Sequence, residues 1–150
     1  MITDQQVATL RAQLAGDMDE YRRLLAQMDS VQETEGFDAL VTAAFFQAVQ
    51  RRFATDEGPV GDAEVVKFIV AARKRTRNAA EIVPPDVGEL LINLALGKVP
   101  EGAKKDVDDN VSFRAKVFLL QVLVGDEGFS DAELESFLSE AREAAEEAFT

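Results

Sequence analysis

The chain of 150 residues contains no cysteine and no histidine. Without cysteine there is no disulfide framework, no thiol nucleophile and no thiolate metal site. Without histidine the commonest general base near neutral pH is missing, and so is the commonest transition-metal ligand. Long apolar runs are absent too. The longest, "VFLLQVLV" from Val117 to Val124, is short and interrupted by Gln121, well below the length of a membrane span. The opening "MITDQQVATL" has neither a basic nor an apolar stretch and does not read as a signal peptide. A cytoplasmic location is expected. No glycine-rich phosphate loop exists, because Gly58 and Gly61 lack a following Lys-Ser/Thr. Ser30, Ser112, Ser130, Ser136 and Ser139 have no histidine to activate them and sit in no nucleophile motif. No cofactor is implied.

Positive charge is scarce. Sixteen Lys and Arg face 28 Asp and Glu, for a net charge of −12. The imbalance is uneven: residues 36–80 carry seven basic and five acidic side chains, whereas residues 111–150 carry three and nine. An acidic surface repels nucleic acid and anionic membranes, so neither is an expected partner.

Helical periodicity dominates what is present. Hydrophobic residues make up 47% of the chain, enough for one helical domain spanning residues 1–150 with a core of its own. Six helices are predicted. The first spans about Asp4 to Met28, opens on a Thr3-x-x-Gln6 capping box and carries Val7, Leu10, Leu14, Met18, Tyr21, Leu24, Leu25 and Met28 on one side. The second runs from about Glu35 to Phe53, with Thr34 as its candidate cap, and the third from Asp62 to about Arg77. The fourth opens at Pro85 and stops at Gly97, as proline and glycine favour. The fifth covers about Val111 to Val124. The sixth opens on a Ser130-x-x-Glu133 capping box and buries Leu134, Phe137, Leu138, Ala141, Ala145, Ala148 and Phe149. No strand signal competes. Phe45, Val49, Phe68, Leu91, Leu119 and Phe137 are the expected core.

One pattern occurs twice. "DEGPVGDAEVVKFI", from Asp56, matches "DEGFSDAELESFL", from Asp126, with one residue skipped. Apolar residues precede each Asp-Glu-Gly by three and seven places, at Phe53 and Val49 and at Leu123 and Leu119. Each copy reads as a helix, a tight acidic turn closed by glycine, and a capped helix. The expected architecture is therefore an all-α bundle around two αα-hairpins, with internal duplication and convergent turn chemistry equally open.

Acidic turns between helices raise the question of calcium. An EF-hand needs oxygen ligands at loop positions 1, 3, 5, 9 and 12 and glycine at 6. Starting at Asp126 puts Gly128 at 3 and Phe137 at 12; starting at Asp56 puts Gly58 at 3 and Lys67 at 12; starting at Asp106 puts Val111 at 6 and Val117 at 12. All three fail. Residues 117–142 and 46–73 nevertheless resemble tellurite-resistance proteins of the TerB type, which repeat a helix, an Asp-Gly turn and a helix. That resemblance implies a metal-binding alternative at Asp56, Asp126 and Glu127, although Glu57 and Glu127 stand where that family more often has Asp. The stretches "AAFFQAVQRRF", "VVKFIVAAR" and "GDEGFSDAELESFLSEAR" are similar to small acidic helical proteins of actinomycetes. This second resemblance implies the fold and no activity.

Two acidic ridges have the spacing of a carboxylate-metal phosphohydrolase, Glu140-x-x-Glu143-x-x-Glu146 and Asp17-x-x-Glu20. The apolar stripes beside them turn both toward water. The only basic island is "RKRTR", Arg73 to Arg77, with Arg51 and Arg52. Cations at helix C-termini offset the dipole; Arg51, Arg52, Arg73, Arg75 and Arg77 also form a docking patch for an acidic partner, such as another copy of the chain. The expected function is a non-enzymatic cytoplasmic interaction or scaffold protein, self-associating as a homodimer. Leu14 and Tyr21 mark the seam on a first helix too long for the rest of the domain to cover. The alternative is a stress protein or enzyme that binds metal through Asp and Glu.

Overall fold

The computed structural model describes residues 2–75, 82–100, 102 and 107–148. The fold is all-α, as the periodicity predicts. Among the described residues there are seven helices: α1 (Asp4–Leu14), α2 (Met18–Ala26), α3 (Val31–Phe53), α4 (Asp62–Arg73), α5 (Pro85–Ala95), α6 (Asp109–Glu127) and α7 (Asp131–Ala148). A two-stranded hairpin, β1 (Ala54–Thr55) and β2 (Gly58–Pro59), follows α3. Two compact units result, one formed by Met1–Ala44 with Val124–Thr150 and the other by Phe45–Leu123. Both α3 and α6 contribute residues to each unit.

In the first unit the Thr3–Gln6 capping box forms as expected. The Gln6 amide N–H donates to Thr3 Oγ1 at 3.2 Å, and the Thr3 N–H donates to Gln6 Oε1 at 2.7 Å. The long first helix does not form. Gly16 takes a left-handed φ of 82°, and the chain closes a Schellman motif there. The Asp17 N–H reaches Ala12 O at 2.9 Å, and the Gly16 N–H reaches Gln13 O at 3.2 Å. Asp17 then caps α2 by accepting from the Glu20 N–H. One apolar stripe of 25 residues thus becomes two short helices that pack on each other, while α7 packs on α1. The turn is local and costs only a glycine in the left-handed region. What favours it is burial of both stripes: Val7, Leu10, Tyr21 and Leu24 are all in the core.

Three contacts lock this unit. Gln6 Nε2 donates to Glu33 O at 2.8 Å, and Gly36 supplies the room, since a Cβ there would lie 2.5 Å from Gln6 Nε2. Arg142 of α7 donates to Ile2 O and to Asp4 Oδ1, both at 2.8 Å. Ser130 and Glu133 exchange the expected capping bonds at 2.9 and 3.2 Å. Ser30, not Thr34, caps α3: Ser30 Oγ accepts from the Glu33 N–H, so the helix starts four residues earlier than predicted. On α7, Phe137, Leu138, Ala141 and Ala145 are buried, Leu134 is half-buried and Ala148 is exposed. Phe149 lies outside the described residues.

In the second unit α4 packs on α5. Gly88 makes the approach possible, because a Cβ there would meet Val83 Cγ1 at 3.0 Å and Ile69 Cδ1 at 3.3 Å. Phe53 and Phe68 meet edge to face at 5.4 Å. All six expected core residues are buried.

The repeated Asp-Glu-Gly stretches adopt different structures. The first is the tip of the hairpin, with Ala54 paired to Pro59 and Thr55 to Gly58. There Thr55 Oγ1 donates to Gly58 O at 2.6 Å. In the second, Asp126 and Glu127 belong to the last turn of α6 and Gly128 follows the helix. Only the glycine plays the same part in both, with φ of 110° at Gly58 and 64° at Gly128.

Gly16→Ala discriminates between a broken and a continuous first helix. Within a helix alanine is favoured over glycine by about 1 kcal/mol; at a left-handed position a Cβ costs about 1–2 kcal/mol. Urea unfolding is expected to show destabilisation. Phe137→Ala is expected to cost about 3–5 kcal/mol by the same measurement.

Candidate functional site

Charge divides with the two units. The unit of Met1–Ala44 and Val124–Thr150 holds four Lys and Arg against seventeen Asp and Glu, a net −13; Phe45–Leu123 holds twelve against eleven, a net +1. All four cations of the acidic unit are engaged within it. Arg11 makes a two-pronged pair with Glu135, whose longer contact is 2.9 Å. Arg22 meets Asp19 at 3.4 Å, Arg23 meets Glu20, and Arg142 meets Asp4 at 2.8 Å and Glu146 at 3.4 Å. The remaining carboxylates of this unit outnumber its cations widely, so its surface is strongly anionic.

The basic island belongs to the other unit. Arg51 and Arg52 occupy the last turn of α3, Arg73 the last turn of α4, and Arg75 follows. The Arg52 guanidinium lies 6.0 Å from the Phe53 ring centroid and 5.5 Å from that of Phe68. This stacking spans α3 and α4 and holds an exposed cation in place. Arg73 is half-buried, and its Nε has no hydrogen-bond partner among the described residues. Arg77 and Asp106 lie outside the described residues.

Leu14 and Tyr21 do not form an open seam. Tyr21 is buried and Leu14 half-buried within their own unit, and burial pushes the Tyr21 phenol pKa up. Packing of α1 on α2 covers Val7, Leu10, Tyr21 and Leu24 of the expected strip and leaves Leu14, Met18, Leu25 and Met28 half-buried. The residues considered for metal fare differently. Among the described residues no three Asp or Glu gather into a set able to hold a metal ion. Asp56 sits at the hairpin tip, Asp126 and Glu127 at the end of α6, and Asp108 caps α6 by accepting from the Asn110 N–H at 2.9 Å. Asp17 is a helix cap, and Glu140 and Glu143 are exposed.

Four buried polar residues, Thr9, Gln13, Ser112 and Lys116, escaped the reading of the sequence. Ser112 and Lys116 are only 3% and 4% exposed. They continue the buried stripe of Leu119, Leu120 and Leu123 backward by one and two turns, and that phase was the available signal. A serine one turn from a buried lysine invites comparison with Ser–Lys nucleophile pairs. Ser112 Oγ, however, has no hydrogen-bond partner among the described residues, so the base contact such a pair requires is not made.

No described helix is long and apolar enough to cross a membrane. Comparison with protein-family models, with characterised proteins and with solved structures finds no match to the chain.

The Arg11 guanidinium holds the Glu135 carboxyl below the usual carboxylate range, and Arg23 does the same for Glu20, each chiefly through a side-chain hydrogen bond. A depressed carboxylate pKa stabilises the fold above the unfolded value of about 4.3, and this is lost as pH falls through the folded value. The chain also has no histidine to titrate. The melting temperature is expected to stay level from pH 8 to pH 6 and to fall below about pH 4.5. In Arg11→Gln the Glu135 midpoint, followed by NMR, is expected to rise toward the ordinary range.

Proposed function

We propose that the chain is a non-enzymatic interaction or scaffold protein of the cytoplasm that associates with itself. The carrying observation is the separation of charge. The acidic unit uses its four cations internally and is strongly anionic, whereas the Phe45–Leu123 unit is close to neutral and carries Arg51, Arg52 and Arg73 in the last turns of α3 and α4, with Lys74 and Arg75 following. The basic side chains of one copy are complementary in charge to the acidic unit of another. Stacking of Arg52 on Phe53 and Phe68 reduces the ordering required when the cluster docks. The first-helix seam is not the favoured surface, because Tyr21 is buried in its own unit. The metal-binding alternative has no gathered set of described carboxylates to support it.

Light scattering tests the reading. The mass is expected to rise with concentration toward twice the 16.4 kDa of one chain and to fall back in high salt, which screens exposed charges. Replacing Arg73 and Arg75 by Glu together is expected to weaken association by about tenfold or more. A protein that stays monomeric at high micromolar concentration overturns it.

A further inference from the structure

Helix α4 has two apolar sides, and only one is covered. Val65, Phe68, Ile69 and Ala72 are buried. The opposite side carries Ala63, Val66, Lys67, Val70, Ala71 and Lys74, all exposed. Val66 and Val70 are 40% and 46% exposed. Four residues apart, they lie side by side one helical turn from each other. Valine is a poor choice for a solvated helix face: branching at Cβ lowers helix propensity, and the side chain offers water nothing.

The charges on this helix are ordered along its axis. Asp62 and Glu64 stand in the first turn; Arg73 stands in the last, with Lys74 at the cap. A helix that is acidic at one end, basic at the other and apolar in the middle complements its own copy when the two run antiparallel. No parallel arrangement does this, since it would set like charges together.

We propose that a second copy of this chain covers the face, with the two α4 helices antiparallel across a two-fold axis. The inference rests on the self-association reading above and assigns its surface. The axis passes near position 68, so that Val66 packs on Val70 of the second copy and Lys74 lies opposite its Asp62. Asp62 is already 3.2 Å from Lys98, but its side chain is 82% exposed and free to take a second cation. Lys67 falls close to the axis, where Glu64 of its own helix, 4.0 Å away, offsets repulsion by its twin. Antiparallel helix dipoles add to the fit. Such a contact is isologous and closes at two copies. One helix face buries less than the roughly 800 Å² per partner of a standard interface, so the dimer exchanges with monomer as concentration changes.

The experiment combines light scattering with cross-linking. Replacing Val66 and Val70 by Ser alters only exposed positions, and circular dichroism checks that the variant folds. Its dimerisation midpoint is expected to move at least about tenfold higher, equivalent to about 1.4 kcal/mol. The chain has no native cysteine, which makes single-cysteine variants unambiguous. Lys67→Cys is expected to form a disulfide-linked dimer under mild oxidation. Lys74→Cys is expected to remain uncoupled, because its two copies are separated along the axis by about 18 Å. Cross-linking at Lys74 and not at Lys67 would overturn the antiparallel geometry. A dimer with an unshifted midpoint in the serine variant would overturn the α4 surface and leave self-association standing. A wild-type chain that is monomeric throughout would overturn both.

Discussion

The left-handed turn at Gly16 is the constraint on which the acidic unit depends. A continuous helix through this point would carry Leu10, Tyr21 and Leu24 along one extended stripe. With the Schellman motif closed on Ala12 and Gln13, the second half folds back and the two stripes share one core. Tyr21 then becomes a core residue with a raised phenol pKa, while Leu14, Met18, Leu25 and Met28 are half-buried. The Arg142 contacts to Ile2 and Asp4, and the Gln6 contact to Glu33, hold the start of the chain against α7 and α3. They order what the turn has already brought together.

The packing of α1 on α2 buries Val7, Leu10, Tyr21 and Leu24 within the acidic unit, so the proposed contact between copies is placed on the other unit. The charge distribution points the same way. In the acidic unit every Lys and Arg is committed to a carboxylate of that unit. Exposed pairs of this kind contribute little to stability individually, but they leave the unit no cation to offer. The basic island belongs to the Phe45–Leu123 unit, where Arg52 is steadied on two aromatic rings. The uncovered Val66 and Val70 lie on α4 of the same unit.

The two Asp-Glu-Gly stretches show how far a local pattern reaches. Glycine behaves alike in both, supplying a left-handed residue after a helix or in a tight turn. The acidic residues before it do not. At Gly58 they form a hairpin tip, because Thr55 bonds back across the turn and Val60 returns its N–H to Phe53 O at 2.9 Å. At Gly128 they extend α6 for a further turn. Placing carboxylates in the last turn of a helix opposes its dipole by a few tenths of a kcal/mol. The surrounding packing overrides an effect of that size.

By itself the sequence determined the all-α class, both capping boxes, the stop at Gly97 and the six core residues from Phe45 to Phe137. These follow from local chemistry: a side chain capping its own helix, or a 3.6-residue period marking which residues share a face. Tertiary structure alone decided what covers each face. The break at Gly16 was not legible because glycine is tolerated within a helix at a cost of about 1 kcal/mol, and only the packing of α1 on α2 tips the balance. Ser112 and Lys116 are polar, yet their phase on α6 carries them into the core. Val66 and Val70 are apolar, yet α5 covers the other side of α4 and leaves them exposed. Periodicity specifies a face, whereas burial depends on which neighbour arrives to meet it.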